Sequence, residues 1–450
     1  MPVDLSKPLD DIVLSNSEKS FMKGLQANIL KGHGREHVAL VFLKIRDVAK
    51  ARAWLRDYPV TDAYTQHLET QAYGATKVPG GVVRLVHISS SGLKAFGQGA
   101  AFAGFGAFSG GMAVDTSVLD DGNTSSWEPG FAKGSDVLLL LAYHCEVDLA
   151  RIVRQLTDEF AEKLSPFDVV YVQDSRAYKN KDSEGLEHFG YVDGRSQPLM
   201  TQSDIQHEKA KGGIDRYDPS APLGQFLLPD PLSPTEFGSF FVFRKLEQNV
   251  AGFKRQEQLT ADAEELKGED RELAGAQAVG RFEDGTPVTL SQVALGGAVQ
   301  NNFNYDADPA GSKCPFHAHI RKTNPRGSSP GGLAFDKSVQ MARRGITYGS
   351  RVQDPNTKAF IDQPFGGVGL LFMSYQASIE AQFQFMQTQW ANNENFPKPG
   401  VGIDPVIGQG PSTLAQTWPS NGKKFLFRGF VTLKGGEYFY TPSLAGLKNL

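Results

Sequence analysis

Runs of β-branched and aromatic residues alternate with amphipathic helical stretches, and they do so twice along the chain, which restricts it to an α+β fold. In the first half, residues 38–45, 82–88, 137–142 and 169–172 read as strands. A short helix is predicted over about 48–56. A clearer one sets Leu149, Ile152, Val153, Leu156 and Phe160 on one stripe, with Asp148, Arg151, Arg154 and Asp158 turned away and Pro166 expected to end it. Strand and helix in this order form the β-α-β-β-α-β pattern of a ferredoxin-like unit. From about 185 to 234 the composition shifts to Gly, Pro, Asp and Ser, which predicts loops and a boundary. The theme then repeats, with strands at 240–243, 369–375, 424–430 and 437–440 and a charged helical region over about 247–276. A second stripe, Ile379, Phe383, Met386 and Trp390, predicts one more helix. The expected architecture is two related ferredoxin-like halves, residues 1–200 and 201–450, each an antiparallel sheet with peripheral helices.

Composition excludes several functions. With 46 Lys+Arg against 50 Asp+Glu, no basic excess marks nucleic acid as a partner. The longest apolar run covers only 137–143, far short of the ~20 residues of a spanning helix, so no membrane partner is expected. The first residues, Met1-Pro2-Val3-Asp4-Leu5, lack a basic region and an apolar stretch, so no signal peptide is expected within this chain. Asn123-Thr124-Ser125 is a glycosylation sequon in a Gly/Ser-rich loop. Cys145 and Cys314 form neither a CxxC pair nor a CxxCH site, which argues against thiolate zinc and covalently attached haem. Thirty Phe against 13 Tyr point to an aromatic interior.

Three segments carry residues suited to chemistry. Cys314-Pro315-Phe316-His317-Ala318-His319-Ile320-Arg321-Lys322-Thr323-Asn324-Pro325-Arg326 places two imidazoles beside a basic, Pro-bounded turn. Such a pair suits zinc if a third ligand lies nearby; one imidazole acting as a single axial ligand is the more economical reading. Phe189-Gly190-Tyr191-Val192-Asp193-Gly194-Arg195-Ser196-Gln197-Pro198 holds a carboxylate on a tight turn, which by itself is also what an ordinary Asp-Gly turn looks like. Met341-Ala342-Arg343-Arg344-Gly345-Ile346-Thr347-Tyr348-Gly349 holds an arginine pair that, alone, reads equally as a solvated turn.

Together and in this order, the three segments resemble the dye-decolourising (DyP-type) haem peroxidases, and fungal members in particular. The resemblance runs from Gln26-Ala27-Asn28-Ile29-Leu30-Lys31-Gly32-His33 to Gly402-Ile403-Asp404-Pro405. It implies two ferredoxin-like halves enclosing one non-covalent haem b, with His319 as axial ligand to the iron and Asp193 and Arg343 on the opposite face. It further implies that Arg195 and Arg326 pair with haem propionates, that Leu370 and Phe372 line the distal cavity, and that Asp404 accepts from His319 Nδ1. Trp390 and Tyr348 are the candidates for carrying electrons from a surface aromatic. The implied partners are hydrogen peroxide, aromatic dyes and phenolic donors, with Mn(II) as a further donor in some members and carotenoid cleavage as another natural role. The implied setting is extracellular.

In that reading Asp193 moves a proton between the oxygens of peroxide while Arg343 stabilises the charge that develops. A carboxyl with an ordinary value of about 3.9, held beside an arginine, predicts activity that favours acidic conditions. Two other classes compete. A haem-handling protein of the same fold needs the axial histidine without the Asp193 and Arg343 pair. A zinc-dependent hydrolase would use His317 and His319.

Overall fold

The computed structural model describes residues 3–450; Met1 and Pro2, part of the terminus read above, lie outside the described residues. Four strands of the main sheet come from the first half: β1 (His37–Ile45), β2 (Val83–Ser89), β3 (Val137–Tyr143) and β4 (Phe167–Arg176). Six come from the second: β5 (Ser233–Gln248), β6 (Ala342–Arg343), β7 (Ile346–Tyr348), β8 (Gly369–Gln376), β9 (Val431–Thr441) and the short Leu228–Asp230 paired with β5. The first set pairs in the order β4-β1-β3-β2 and the second in the order β7-β8-β5-β9, with β6 also on β8. All these pairings are antiparallel. Each set is a ferredoxin-like sheet, its first strand lying between the third and the last. The two join edge to edge where Phe439 and Tyr440 pair with Ser89 and Ile88. At the far edges Thr347 Oγ1 donates to the Arg176 carbonyl, so the sheet curls toward closure.

The helices that matter for the site and for the sequence reading are α1 (Val48–Asp57), α2 (Glu146–Ala161), α3 (Gln202–Gly212), α4 (Val250–Ala263), α5 (Glu272–Val279) and α6 (His319–Thr323). On α2, Leu149, Val153 and Phe160 are buried, as the apolar stripe predicts, while its charged residues face solvent. Helix α2 stops at Ala161, short of Pro166, because Glu162 turns back onto the Glu159 carbonyl and Ser165 onto that of Glu162. The interior is aromatic: Phe42 packs on Phe131, Phe243 and Phe439 at centroid separations of 5.2, 5.1 and 6.5 Å.

Three elements differ from expectation. Helix α3 lies inside the stretch predicted as loops; Thr201 caps it by accepting from the Asp204 amide, and it buries only Ile205 and Glu208, too little to leave an apolar period. The stripe of Ile379, Phe383, Met386 and Trp390 is helical, but wound in the wider π form over Ile379–Gln384 and Met386–Ala391. Of the strand expected over 424–430 only Lys424–Phe425 forms. Beyond it the Gln416 side chain takes a neighbouring strand's place, accepting from the Phe427 amide (2.9 Å) and donating to its carbonyl (3.1 Å).

Candidate active site

The strands of the second half present one face to a cavity of about 530 Å³, within the usual range of cofactor pockets (about 300–1,000 Å³). Leu370 and Phe372 alternate with the buried Leu371 and Met373 on β8, and both line this cavity. Opposite them on β5 stand Leu246 and Arg244, which line it too. The period of two along a strand accounts for this apolar wall.

Asp193 reaches the cavity on the turn that follows β4. Gly194 is in the left-handed region (φ 79°), where a side chain is strained, so the acid sits on a turn that glycine permits. The turn is pinned from behind. Glu187 accepts from the amides of Phe189 (2.9 Å) and Tyr191 (3.0 Å) and from Gln248 Nε2 (2.6 Å). Burial pushes the Glu187 carboxyl up to about 7, against the pull of these donors. Among the described residues the Asp193 carboxylate itself has no hydrogen-bond partner, so it is free to meet a ligand.

The two arginines of the pair part company. Arg344 is spent on backbone, donating to the carbonyls of Asn28 (2.7 Å), Ile29 (2.8 Å) and Arg343 (2.9 Å). Arg343 lines the cavity, and its guanidinium makes one long contact, to the Arg195 carbonyl at 3.5 Å. Its main chain is fixed by β6 pairing and by Gln197, which accepts from the Arg343 amide at 3.1 Å. A rigid backbone therefore carries a guanidinium whose donors are largely unused.

His319 opens helix α6 and also lines the cavity. Its Nδ1 lies 2.8 Å from Asp404 Oδ2, and no other hydrogen bond engages the ring among the described residues. The fully buried Asp404 is held in turn by the amides of Val406 (2.8 Å) and Ile407 (3.0 Å) on its other oxygen. Burial alone would lower the imidazole; the charge and hydrogen bond of Asp404 outweigh it and leave His319 raised. Burial pushes Asp404 up, and His319 together with the two amides holds it below the usual carboxylate range. The pair thus leaves Nε2 free for the cavity and makes the ring more basic.

His317 does not share this position. It is 2% exposed, its ring lies 4.7 Å from Trp418, and burial lowers it to about 3. Among the described residues no group of three or more His, Cys, Asp or Glu is placed to hold a metal, so the third ligand that the hydrolase reading requires does not join the two imidazoles.

At another corner of the cavity Arg195, Arg281 and Arg326 gather. Arg195 pairs with Glu208 at 2.9 and 3.3 Å. Arg326 lies between the rings of Tyr217 (4.0 Å) and Phe303 (3.8 Å) and donates to Ser196 Oγ (2.8 Å). Arg281 donates to the same Ser196 oxygen at 3.2 Å. Burial, then the charge of Arg326, lowers Arg281 to about 9. Among the described residues Glu208 is the one carboxylate that these three guanidiniums bond, so the corner is short of anions. Arg281 and Glu208 were invisible in the sequence: each stands in an ordinary polar stretch, and only the fold brings them to Arg195.

Trp390 and Tyr348 are not at the surface, contrary to the expectation for an entry point of electrons. Trp390 is 1% exposed and stacks on Phe396 at 5.0 Å, because the apolar stripe of its helix turns inward. Tyr348 is 5% exposed, with Lys245 Nζ 4.6 Å above its ring. Neither side chain lines the cavity.

The cavity offers a ligand an apolar wall, an imidazole with a free nitrogen and an anion-seeking corner. These features fit a haem, with its flat apolar ring, its iron and its acidic edge. No family model matches the chain. It is 42% identical over 474 aligned positions to the multifunctional dye peroxidase DyP2 of an Amycolatopsis strain, covering 100% of both chains. It is 30% identical to the dye-decolorizing peroxidase AauDyP1 of Auricularia auricula-judae, covering 94% of this chain and 85% of that protein. Among solved structures, the DyP-type peroxidase of Anabaena superposes with a TM-score of 0.88 at 36% identity, over 96% of this chain and 94% of that one.

Proposed function

The chain belongs to the dye-decolourising peroxidases, haem enzymes that use hydrogen peroxide to oxidise dyes, and we propose that its cavity binds one haem b without covalent attachment, with His319 on the iron. The observation that carries this assignment is the 2.8 Å contact of His319 Nδ1 with buried Asp404, which leaves Nε2 as the ring's one available donor atom to a metal. The arginine corner supports binding of the propionates, planar guanidinium being suited to carboxylate. That neither Cys145 nor Cys314 lines the cavity supports non-covalent binding. The topology supports dividing the chain into halves 1–200 and 201–450, the second supplying the histidine.

Haem, when bound, supplies the iron at which peroxide is reduced and to which the donor returns electrons one at a time. The residues of this chain do the rest. The Asp193 carboxylate takes the proton from the inner oxygen of peroxide and returns it to the outer one, which leaves as water. The Arg343 guanidinium stabilises the negative charge that develops as the O–O bond lengthens. Leu370 and Phe372 keep the pocket dry and too narrow for a bulky dye. Besides dyes, we propose phenols as donors, and Mn(II) in the role the resemblance gives it. For the compartment we propose an extracellular setting, which the sequon at exposed Asn123 supports.

The purified protein should show a Soret band and bleach an anthraquinone dye only when peroxide is added; a colourless, zinc-containing protein would overturn the assignment. Arg281→Gln should weaken haem retention, by about 1.5–3 kcal/mol for a charged hydrogen bond, seen as faster haem loss to an apoprotein acceptor. If Trp390, buried against Phe396, relays electrons rather than receiving them at the surface, Trp390→Phe should slow oxidation of large dyes while sparing the reaction with peroxide. Equal loss of both would assign the residue to packing alone.

A further inference from the structure

Lys322 follows His319 by one turn of α6, yet it neither lines the cavity nor forms an ion pair among the described residues. It is fully buried, which for an ammonium is costly unless every donor is used. Its Nζ donates to three carbonyls: Asn393 at 2.8 Å, Phe396 at 2.6 Å and Gly402 at 2.9 Å. An ammonium has three donors, so the set is complete. All three acceptors belong to the segment that runs into Asp404, whose own amide bonds back to the Ala391 carbonyl at 2.8 Å. The short helix and this segment are therefore joined at two points, Lys322 on the carbonyls and His319 on the carboxylate.

We propose that Lys322 is a positioning residue for the peroxidase reaction, fastening the segment from Asn393 to Gly402 to the helix of His319 and thereby fixing the Asp404 carboxylate on the imidazole. The inference rests on the reading of His319 as the iron's ligand. A hydrocarbon in place of the ammonium leaves the buried Phe396 and Gly402 carbonyls without a donor and the Asn393 carbonyl with the Phe396 amide alone (3.2 Å), and the segment moves to find others. The Asp404 contact then lengthens, and the imidazole becomes a weaker donor to the metal.

The test uses the haem-loaded protein and two readouts other than turnover, the ferric/ferrous midpoint potential and the iron–imidazole stretch in resonance Raman spectra. Asp404→Asn is the reference, expected to raise the potential and lower the stretching frequency. Lys322→Met should shift both in the same direction by a smaller amount. In the double variant the lysine change should add nothing to the asparagine change, the mark of two residues acting through one contact. Should Lys322→Met fail to fold, Lys322→Gln, which retains an amide donor, should give a partial shift. A Lys322 variant that loses thermal stability but keeps the parent potential and stretch overturns the proposal and leaves the histidine assignment standing. If Asp404→Asn also leaves both readouts unmoved, the histidine assignment falls together with the proposal.

Discussion

Replacing Asp193 with Asn should lower kcat/KM for hydrogen peroxide by about 10²–10⁴-fold, the range that a positioned proton-transfer group contributes, without loss of haem. The substitution preserves size and shape. The turn that presents residue 193 is held by main-chain contacts, the Asp193 amide on the Gly185 carbonyl at 2.9 Å and the Val192 amide on that of Glu283 at 3.1 Å. Glu187 braces the same turn and is untouched by the change. An amide cannot accept the proton, so the effect falls on the chemical step. Stopped-flow mixing with peroxide isolates that step from the later reaction with dye. A variant that reacts with peroxide as fast as the parent would show that the proton travels by another route.

Arg343→Leu should cost about 10²–10³-fold in the same step, as expected on removing one preorganised donor to a developing charge. Its guanidinium has only the 3.5 Å contact with the Arg195 carbonyl to lose, so stability should change little. Arg344 provides the contrast within the pair. It braces the carbonyls of Asn28 and Ile29, and substitution there should show as a fall in Tm before any selective loss of the peroxide step. The two arginines are adjacent in sequence and opposite in use, because backbone carbonyls take up the guanidinium of Arg344 and leave that of Arg343 almost free.

Much of this was legible in the sequence. The apolar run over residues 369–375 and the helical stripe from Leu149 to Phe160 each report burial, and burial is what drives both elements. Taken singly, the segments of Asp193 and Arg343 read as ordinary turns; their order together with the His319 segment, matched to the family, singled the three out, and the fold brings all three to one cavity. What escaped was set by distant partners. Helix α3 is polar almost throughout and is stabilised by its cap and by contacts such as Glu208 with Arg195. The failed strand near Phe427 lost to a glutamine side chain that satisfies the same amide and carbonyl. Trp390 and Tyr348 could be ranked as aromatic and oxidisable from sequence, but their exposure depends on which side of an element faces the core.

The role of His319 is the assignment on which the others depend, and one measurement reaches it directly. His319→Gly leaves a space where the imidazole stood, and the absorption and electron paramagnetic resonance spectra of the haem-loaded variant report what holds the iron. The parent should show a histidine-ligated ferric haem. The variant should lose that signature and regain it, together with peroxidase activity, when free imidazole is added. A variant that keeps the parent spectrum without added imidazole would place the iron on some other residue and contradict the account.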